Sequence, residues 1–212
     1  MIDIVEVVET FVSLQGESSF AGRPCFFVRM AGCNLRCRYC DTPNAYFGGR
    51  EMTVGAIVHE FRASRVQLAE ITGGEPLLQA GFPVLAREFA SVADSTLLVE
   101  TNGSQNISRI PKAAVAIMDV KCPGSGEVKS FDLANLKRLR PHDEVKFVIW
   151  DRRDYDWARR MVVRHRLDHH CHAVHFSPVA GTLAPAELGA WILNDRLPVR
   201  LQIQLHKMIG MR

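Results

Sequence analysis

Apolar, β-branched runs alternate along the chain with amphipathic ones. Val5–Val12, Cys25–Arg29, Val66–Thr72, Thr96–Glu100, Val115–Val120, Val145–Ile149, Val174–Phe176 and Val199–Leu205 read as strands. Val54–Arg62, Phe82–Ala90, Tyr155–Arg166 and Pro185–Asn194 read as helices, the first capped by Thr53. Strands that alternate with helices and carry no sustained polar alternation predict a buried parallel sheet, hence an α/β fold. Eight complete βα units need about 250 residues. The chain has 212, so the expectation is a single domain over residues 1–212 folded as an incomplete, open (β/α) barrel. Functional residues of such folds collect at the carboxyl ends of the strands. Five predicted strand ends run into polar or Gly/Pro-rich sequence: Thr72-Gly73-Gly74-Glu75-Pro76, Glu100-Thr101-Asn102-Gly103, Asp119-Val120-Lys121, Ser177-Pro178 and Gln204-Leu205-His206-Lys207. They read as one site assembled from many strands.

Composition narrows the class. Hydrophobic residues make up 47% and charged residues 23%, as in an ordinary globular protein. A net charge of +3 is too small to argue for nucleic-acid binding. No apolar run approaches the ~20 residues that span a bilayer. The first residues, Met1-Ile2-Asp3-Ile4-Val5-Glu6, carry acids where a signal peptide needs bases. A cytoplasmic protein with no membrane partner is expected. In a reducing compartment six cysteines do not imply disulfides, and clustered ones more often serve metal or redox chemistry.

Three of the six fall in one loop as Cys33-x3-Cys37-x2-Cys40. Thiolates suit zinc and iron–sulfur clusters. A structural zinc needs a fourth ligand and usually a second Cys pair. None follows here, although His170 and His172 beside Cys171 are nominal candidates. Three thiolates on a cubane leave one iron open to a ligand that is not protein, and an open position signals chemistry. Cys25, Cys122 and Cys171 read as structural.

The C-x3-C-x2-C spacing, with Tyr39 before the last Cys, resembles the signature of the radical S-adenosylmethionine superfamily. The resemblance implies a [4Fe–4S] cluster on Cys33, Cys37 and Cys40, bearing S-adenosylmethionine on its open iron. Gly73-Gly74-Glu75-Pro76 resembles the superfamily element that meets the amino group of that cofactor. Leu14-Gln15-Gly16-Glu17, Gly22-Arg23-Pro24, Arg29, Cys40-Asp41-Thr42, Thr72, Glu100-Thr101-Asn102-Gly103 and Gln204-Leu205-His206-Lys207 together resemble the 7-carboxy-7-deazaguanine synthase family over nearly the whole chain. That family converts 6-carboxy-5,6,7,8-tetrahydropterin to 7-carboxy-7-deazaguanine with loss of ammonia. The step leads toward 7-deazapurines such as queuosine and depends on magnesium.

The resemblance implies site residues. Substrate contacts fall on Leu14, Gln15, Gly16, Glu17, Arg29, Thr72, His206 and the terminal carboxylate of Arg212. A guanidinium at the end of an apolar strand suits bidentate capture of a substrate carboxylate, though Arg29 also reads as an ion-pair residue. S-adenosylmethionine falls to Tyr39, Cys40, Asp41, Gly74, Glu75, Asp119, Val120, Lys121, Phe176, Ser177, Pro178 and Val179, and Mg²⁺ to Thr42, whose hydroxyl suits a hard cation. No general acid or base is assigned. Two positions depart from the family. Ser18 follows Glu17 where Gly is common, and Asp119-Val120-Lys121 stands where many members have Ser-Pro-Lys. An electron donor such as flavodoxin or ferredoxin and a homodimer are further implications. The rival readings are a glycyl-radical-enzyme activase, which shares the cysteine spacing, and a non-catalytic metal-binding module.

Overall fold

The computed structural model describes residues 3–211. The chain opens with β1 (Ile4–Leu14), β2 (Pro24–Met30), β3 (Arg50–Thr53) and α1 (Val54–Ser64). It continues with β4 (Leu68–Gly73), α2 (Phe82–Ala90), β5 (Thr96–Thr101) and β6 (Val115–Asp119). Next come β7 (Glu144–Ile149), α3 (Arg152–His165), α4 (Leu167–His170) and β8 (Ala173–Pro178). The last elements are α5 (Pro185–Asp195), β9 (Arg200–Leu201) and α6 (Leu205–Met208). Among the described residues nine strands form one open sheet in the order β3-β1-β2-β4-β5-β6-β7-β8-β9. The predicted incomplete barrel holds in its main body, where β2 and β4 to β9 run parallel.

Its leading edge differs from expectation, because β1 pairs antiparallel with both β2 and β3. Arg50-Glu51-Met52-Thr53 is too polar to read as a strand. As an edge it needs no buried face, and its charges suit an edge. The predicted strand Val199–Leu205 shrinks to Arg200–Leu201. Beyond it the backbone leaves the sheet, and Leu205 N donates to Gly16 O at 2.9 Å. Helix starts follow local capping. Thr53 Oγ1 accepts from Ala56 N at 3.2 Å, as predicted. Asp151 Oδ1 accepts from Asp154 N at 3.0 Å, so α3 begins three residues before the apolar periodicity does.

Successive residues of each strand face opposite sides. On β2, β4, β5, β6 and β7 the outward residues Phe26, Val28, Ala69, Ile71, Leu97, Val99, Ala116, Met118, Val145 and Phe147 join the helices in the main core. The inward residues begin apolar at the strand bases, where Cys25, Phe27, Leu68, Leu98 and Ile117 form a smaller inner core. Higher up they turn polar, as Arg29, Glu70, Thr72, Glu100, Asp119, Lys146 and Ser177. Polar alternation is therefore present, confined to the upper half of the inner face.

In the main core Phe61 stacks on Phe89 with ring centroids 5.0 Å apart, and Phe26 packs against both rings. All three lie at 4% exposure or less, tying α1 and α2 to the sheet. Phe89→Ala is expected to cost about 3–5 kcal/mol through lost transfer energy and a residual cavity. Urea denaturation against the parent chain measures it.

Candidate active site

The upper inner face lines a cavity of about 560 Å³, within the range of about 300–1,000 Å³ that holds small molecules. Cys33, Cys37 and Cys40 stand on one wall, and Gln15, Arg29 and His206 also line it. The cysteine loop is pinned at its neck, where Gly32 N donates to Ala45 O at 2.9 Å and Glu75 N donates to Gly32 O at 2.7 Å. Gly74 is compulsory there, because a Cβ would lie 2.1 Å from Gly32 O. Arg36 stiffens the loop. Its guanidinium donates to Cys33 O at 2.8 Å and lies over the Tyr46 and Phe47 rings.

The donor set fits an iron–sulfur cluster. All three thiols are free and half-buried, and Leu35 N donates to Cys33 Sγ at 3.5 Å, a contact that favours the thiolate. Burial pushes the Cys33 thiol up and Cys37 to about 11, with Lys121 pulling the other way in both. The thiolates therefore need the positive charge that iron supplies. Asp119 fits a polar cofactor. Its Oδ2 accepts from Lys121 Nζ at 2.9 Å, whereas its buried Oδ1 has no donor among the described residues. Cys25, Cys122 and Cys171 are buried in the cores, as expected.

At the centre stands Lys146, 6% exposed. Its Nζ bonds Glu17 Oε2 at 2.7 Å and Glu100 Oε1, with Asp119 Oδ2 at 3.5 Å. Burial opposes the charge. Glu100, Glu17 and Asp119 outweigh it and hold the ammonium well above its ordinary value. Glu100 Oε2 accepts from Thr72 Oγ1 at 2.9 Å. Glu17 Oε1 accepts from Gln204 Nε2 at 2.7 Å. Despite burial, Lys146 and Gln204 hold the Glu17 carboxyl below its usual range. Asp41 behaves likewise, with Lys207 and Gln204 overcoming burial.

Most of the predicted residues meet here. Leu14, Gln15, Gly16, Glu17, Arg29, Thr72 and His206 line the cavity, as do Tyr39, Asp41, Thr42, Gly74, Asp119, Lys121, Ser177, Pro178 and Val179. Arg29 is an ion-pair residue that also lines the cavity. Its Nε bonds Glu9 Oε1 at 2.8 Å, while its guanidinium lies over Phe11 at the cavity wall. The imidazole of His206 rests on Gly16, where a Cβ would lie 1.9 Å from Nδ1. Burial and Lys207 lower its pKa. Ser18 sits at φ 62°, the left-handed region that glycine prefers. Its backbone N–H donates to Gln202 Oε1 at 2.7 Å, which helps hold it there.

Three predicted contacts lie off the cavity wall. Val120 and Phe176 have no exposed surface and belong to the main core, because they occupy outward positions. Glu75 is fully buried and accepts from Asn102 N, Thr101 Oγ1 and Leu77 N at 2.6–3.1 Å. It braces two strand ends against each other. Arg212 lies outside the described residues. Sequence reasoning missed Glu70, Lys146 and Trp150 as wall residues. For Glu70 and Lys146 the available signal was a lone charge inside an apolar strand run.

An open parallel barrel with three thiols at one rim and a polar cavity beside them defines a radical S-adenosylmethionine enzyme. The Radical SAM superfamily profile accordingly matches residues 27–120. The chain is 44% identical to the 7-carboxy-7-deazaguanine synthase of Koribacter versatilis, over 97% of this chain and 96% of that one. It is 43% identical to the synthase of Chlorobaculum tepidum, over 97% and 94%. The crystal structure of QueE from Escherichia coli shares the fold, with a TM-score of 0.79 at 18% identity, covering 96% of this chain and 95% of that one. The chain belongs to the 7-carboxy-7-deazaguanine synthase family.

Two outcomes are expected of the charge network. Lys146→Met leaves Glu17, Glu100 and Asp119 without their shared cation, and a loss of about 3–5 kcal/mol is expected in urea denaturation at pH 7. Glu75 is pushed up to about 7 by burial, against the hydrogen bonds it receives. The folded state therefore binds the Glu75 proton more tightly than the unfolded chain does. Its contribution is full below about pH 4 and is lost as pH rises through 7. Glu75→Gln is expected to flatten that decline when stability is measured at intervals from pH 5 to 8.

Proposed function

We propose that the cavity converts 6-carboxy-5,6,7,8-tetrahydropterin to 7-carboxy-7-deazaguanine with release of ammonia, a lyase step toward 7-deazapurines such as queuosine. The observation that carries this reading is that the three thiols and the Gln15, Arg29, Glu17 and His206 group line the same cavity. Cys33, Cys37 and Cys40 would hold the cluster, and with S-adenosylmethionine bound it would supply hydrogen-atom abstraction chemistry beside the substrate.

The chain's own residues bind and orient. Arg29, held by Glu9 through Nε, offers a planar fork suited to the substrate carboxylate. Gln15 is fixed on both sides. Its Oε1 accepts from Glu17 N at 3.1 Å and its Nε2 donates to Glu70 Oε2. A preset amide of this kind orients the substrate at little entropic cost. His206 closes the side above Gly16. Asp119, Lys121, Tyr39 and Ser177 to Val179 form the cofactor side, and Thr42 beside Asp41 offers hard oxygen donors for magnesium.

The unbroken sheet supports one radical enzyme domain over residues 1–212. No helix among the described residues is long and apolar enough to cross a membrane. A cytoplasmic homodimer reduced by a flavodoxin or ferredoxin completes the proposal.

Reconstituted protein, incubated anaerobically with the pterin, S-adenosylmethionine and dithionite, is expected to form the deazapurine by mass and absorbance. No product would overturn the assignment. Arg29→Lys keeps the charge but loses the fork, and a rise in KM of about 10- to 100-fold is expected. Thr42→Ala is expected to abolish the stimulation of turnover by magnesium. Undiminished stimulation would refute that ligand alone.

A further inference from the structure

The acids of the cavity differ in what the protein leaves them to do. Glu17 is the most engaged, since Oε1 accepts from Gln204 and Oε2 accepts from Lys146 and from Gln202 at 3.2 Å. Glu100 is engaged through both oxygens, by Lys146 and Thr72. Asp41 is engaged by Thr42, Gln204 and Lys207. Among the described residues two carboxylate oxygens of the cavity receive no hydrogen bond from the protein, the buried Asp119 Oδ1 on the cofactor side and Glu70 Oε1, whose carboxyl is engaged only through Oε2.

Glu70 is 4% exposed, on the inner face of β4 two residues below Thr72, and it lines the cavity. On β2 it pairs with Phe27 and on β5 with Leu98, both inner-core residues, so it stands at the floor where the wall turns apolar. Its Oε2 accepts from Gln15, the residue that fixes the substrate side. A carboxyl so little exposed, with one oxygen free of protein donors and on the cavity wall, is placed to accept from a ligand. Burial and the nearby Glu100 push its pKa well above the ordinary range, and an incoming N–H donor would favour the charged form that accepts it.

We propose that Glu70 is a specificity-determining residue whose Oε1 accepts a hydrogen bond from the N–H edge of the substrate ring, its 2-amino group and adjacent ring N–H. Gln15 and Glu70 then act as one floor. Gln15 is held by Glu70, and Glu70 offers the incoming donor an oxygen that no protein group engages. This deepens the proposed function and rests on its pterin substrate.

The test compares the parent holoenzyme with Glu70→Gln, which keeps the size of the side chain and can replace the acceptor by a donor. Pterin binding is measured with S-adenosylmethionine present and no reductant, by quenching of pterin fluorescence, and KM is measured with reductant. Two substrates are used, 6-carboxytetrahydropterin and its analogue with hydrogen in place of the 2-amino group. With the natural substrate, E70Q is expected to raise Kd and KM by about 10- to 100-fold. With the analogue the ratio between the two proteins is expected to fall to less than half that value. Iron content and the slow reductive cleavage of S-adenosylmethionine without pterin should be unchanged. Natural-substrate Kd and KM within twofold of the parent would overturn the proposal. So would an equal loss on both substrates, the signature of a residue that only props Gln15. If E70Q loads no iron, Glu70→Asp, which retains an acceptor on a shorter side chain, is put through the same pair of substrates under the same criteria. A parent holoenzyme that cleaves S-adenosylmethionine but neither binds nor converts the pterin refutes the substrate reading itself, a result distinct from failure of the Glu70 assignment.

Discussion

A single buried ammonium organises the inner face. Removing a charge from water costs several kcal/mol unless partners replace the lost solvation, and Lys146 has its replacements from three different segments. Glu17 comes from the loop after β1, Glu100 from the end of β5 and Asp119 from the end of β6. These carboxylates would repel one another without Lys146, and Lys146 would be intolerable without them. The network fixes how far apart the strand ends stand, and so the width of the cavity. Glu75 performs a related service from behind, bracing the Gly-Gly turn against the end of β5 through Thr101 and Asn102.

That arrangement explains which parts of the protein were legible in the sequence. Cys33, Cys37 and Cys40 could be read because their ligand spacing is local to one loop. The parallel body of the sheet could be read because its outward faces are almost purely aliphatic. The inner face was obscured by its own gradient. Leu68 and Leu98 at the strand bases hide the alternation that Glu70, Thr72 and Glu100 display higher up. With that alternation in view, Val120 and Phe176 fall on the core side and Glu70 and Lys146 on the cavity side.

Other differences lie beyond any local pattern. Arg50–Thr53 becomes a strand only because β1 offers it a free edge. Val199–Leu205 looks like a strand throughout, yet Gln202 and Gln204 are drawn to Ser18 and Glu17, and the backbone follows them off the sheet. Glu75 reads as a ligand residue from its motif, and only the tertiary fold shows its carboxylate turned inward to three protein donors.

The departure of the chain after β9 has a consequence for the order of assembly. Leu205 N bonds Gly16 O, Gln204 bonds Glu17, and His206 rests on Gly16, so a later-made segment completes the pocket begun by the loop after β1. On the ribosome the cysteine loop emerges more than 150 residues before His206 does. The nascent chain thus exposes its thiols long before it owns a closed chamber. A prematurely terminated product would have the means to gather iron and no enclosure in which to confine a radical.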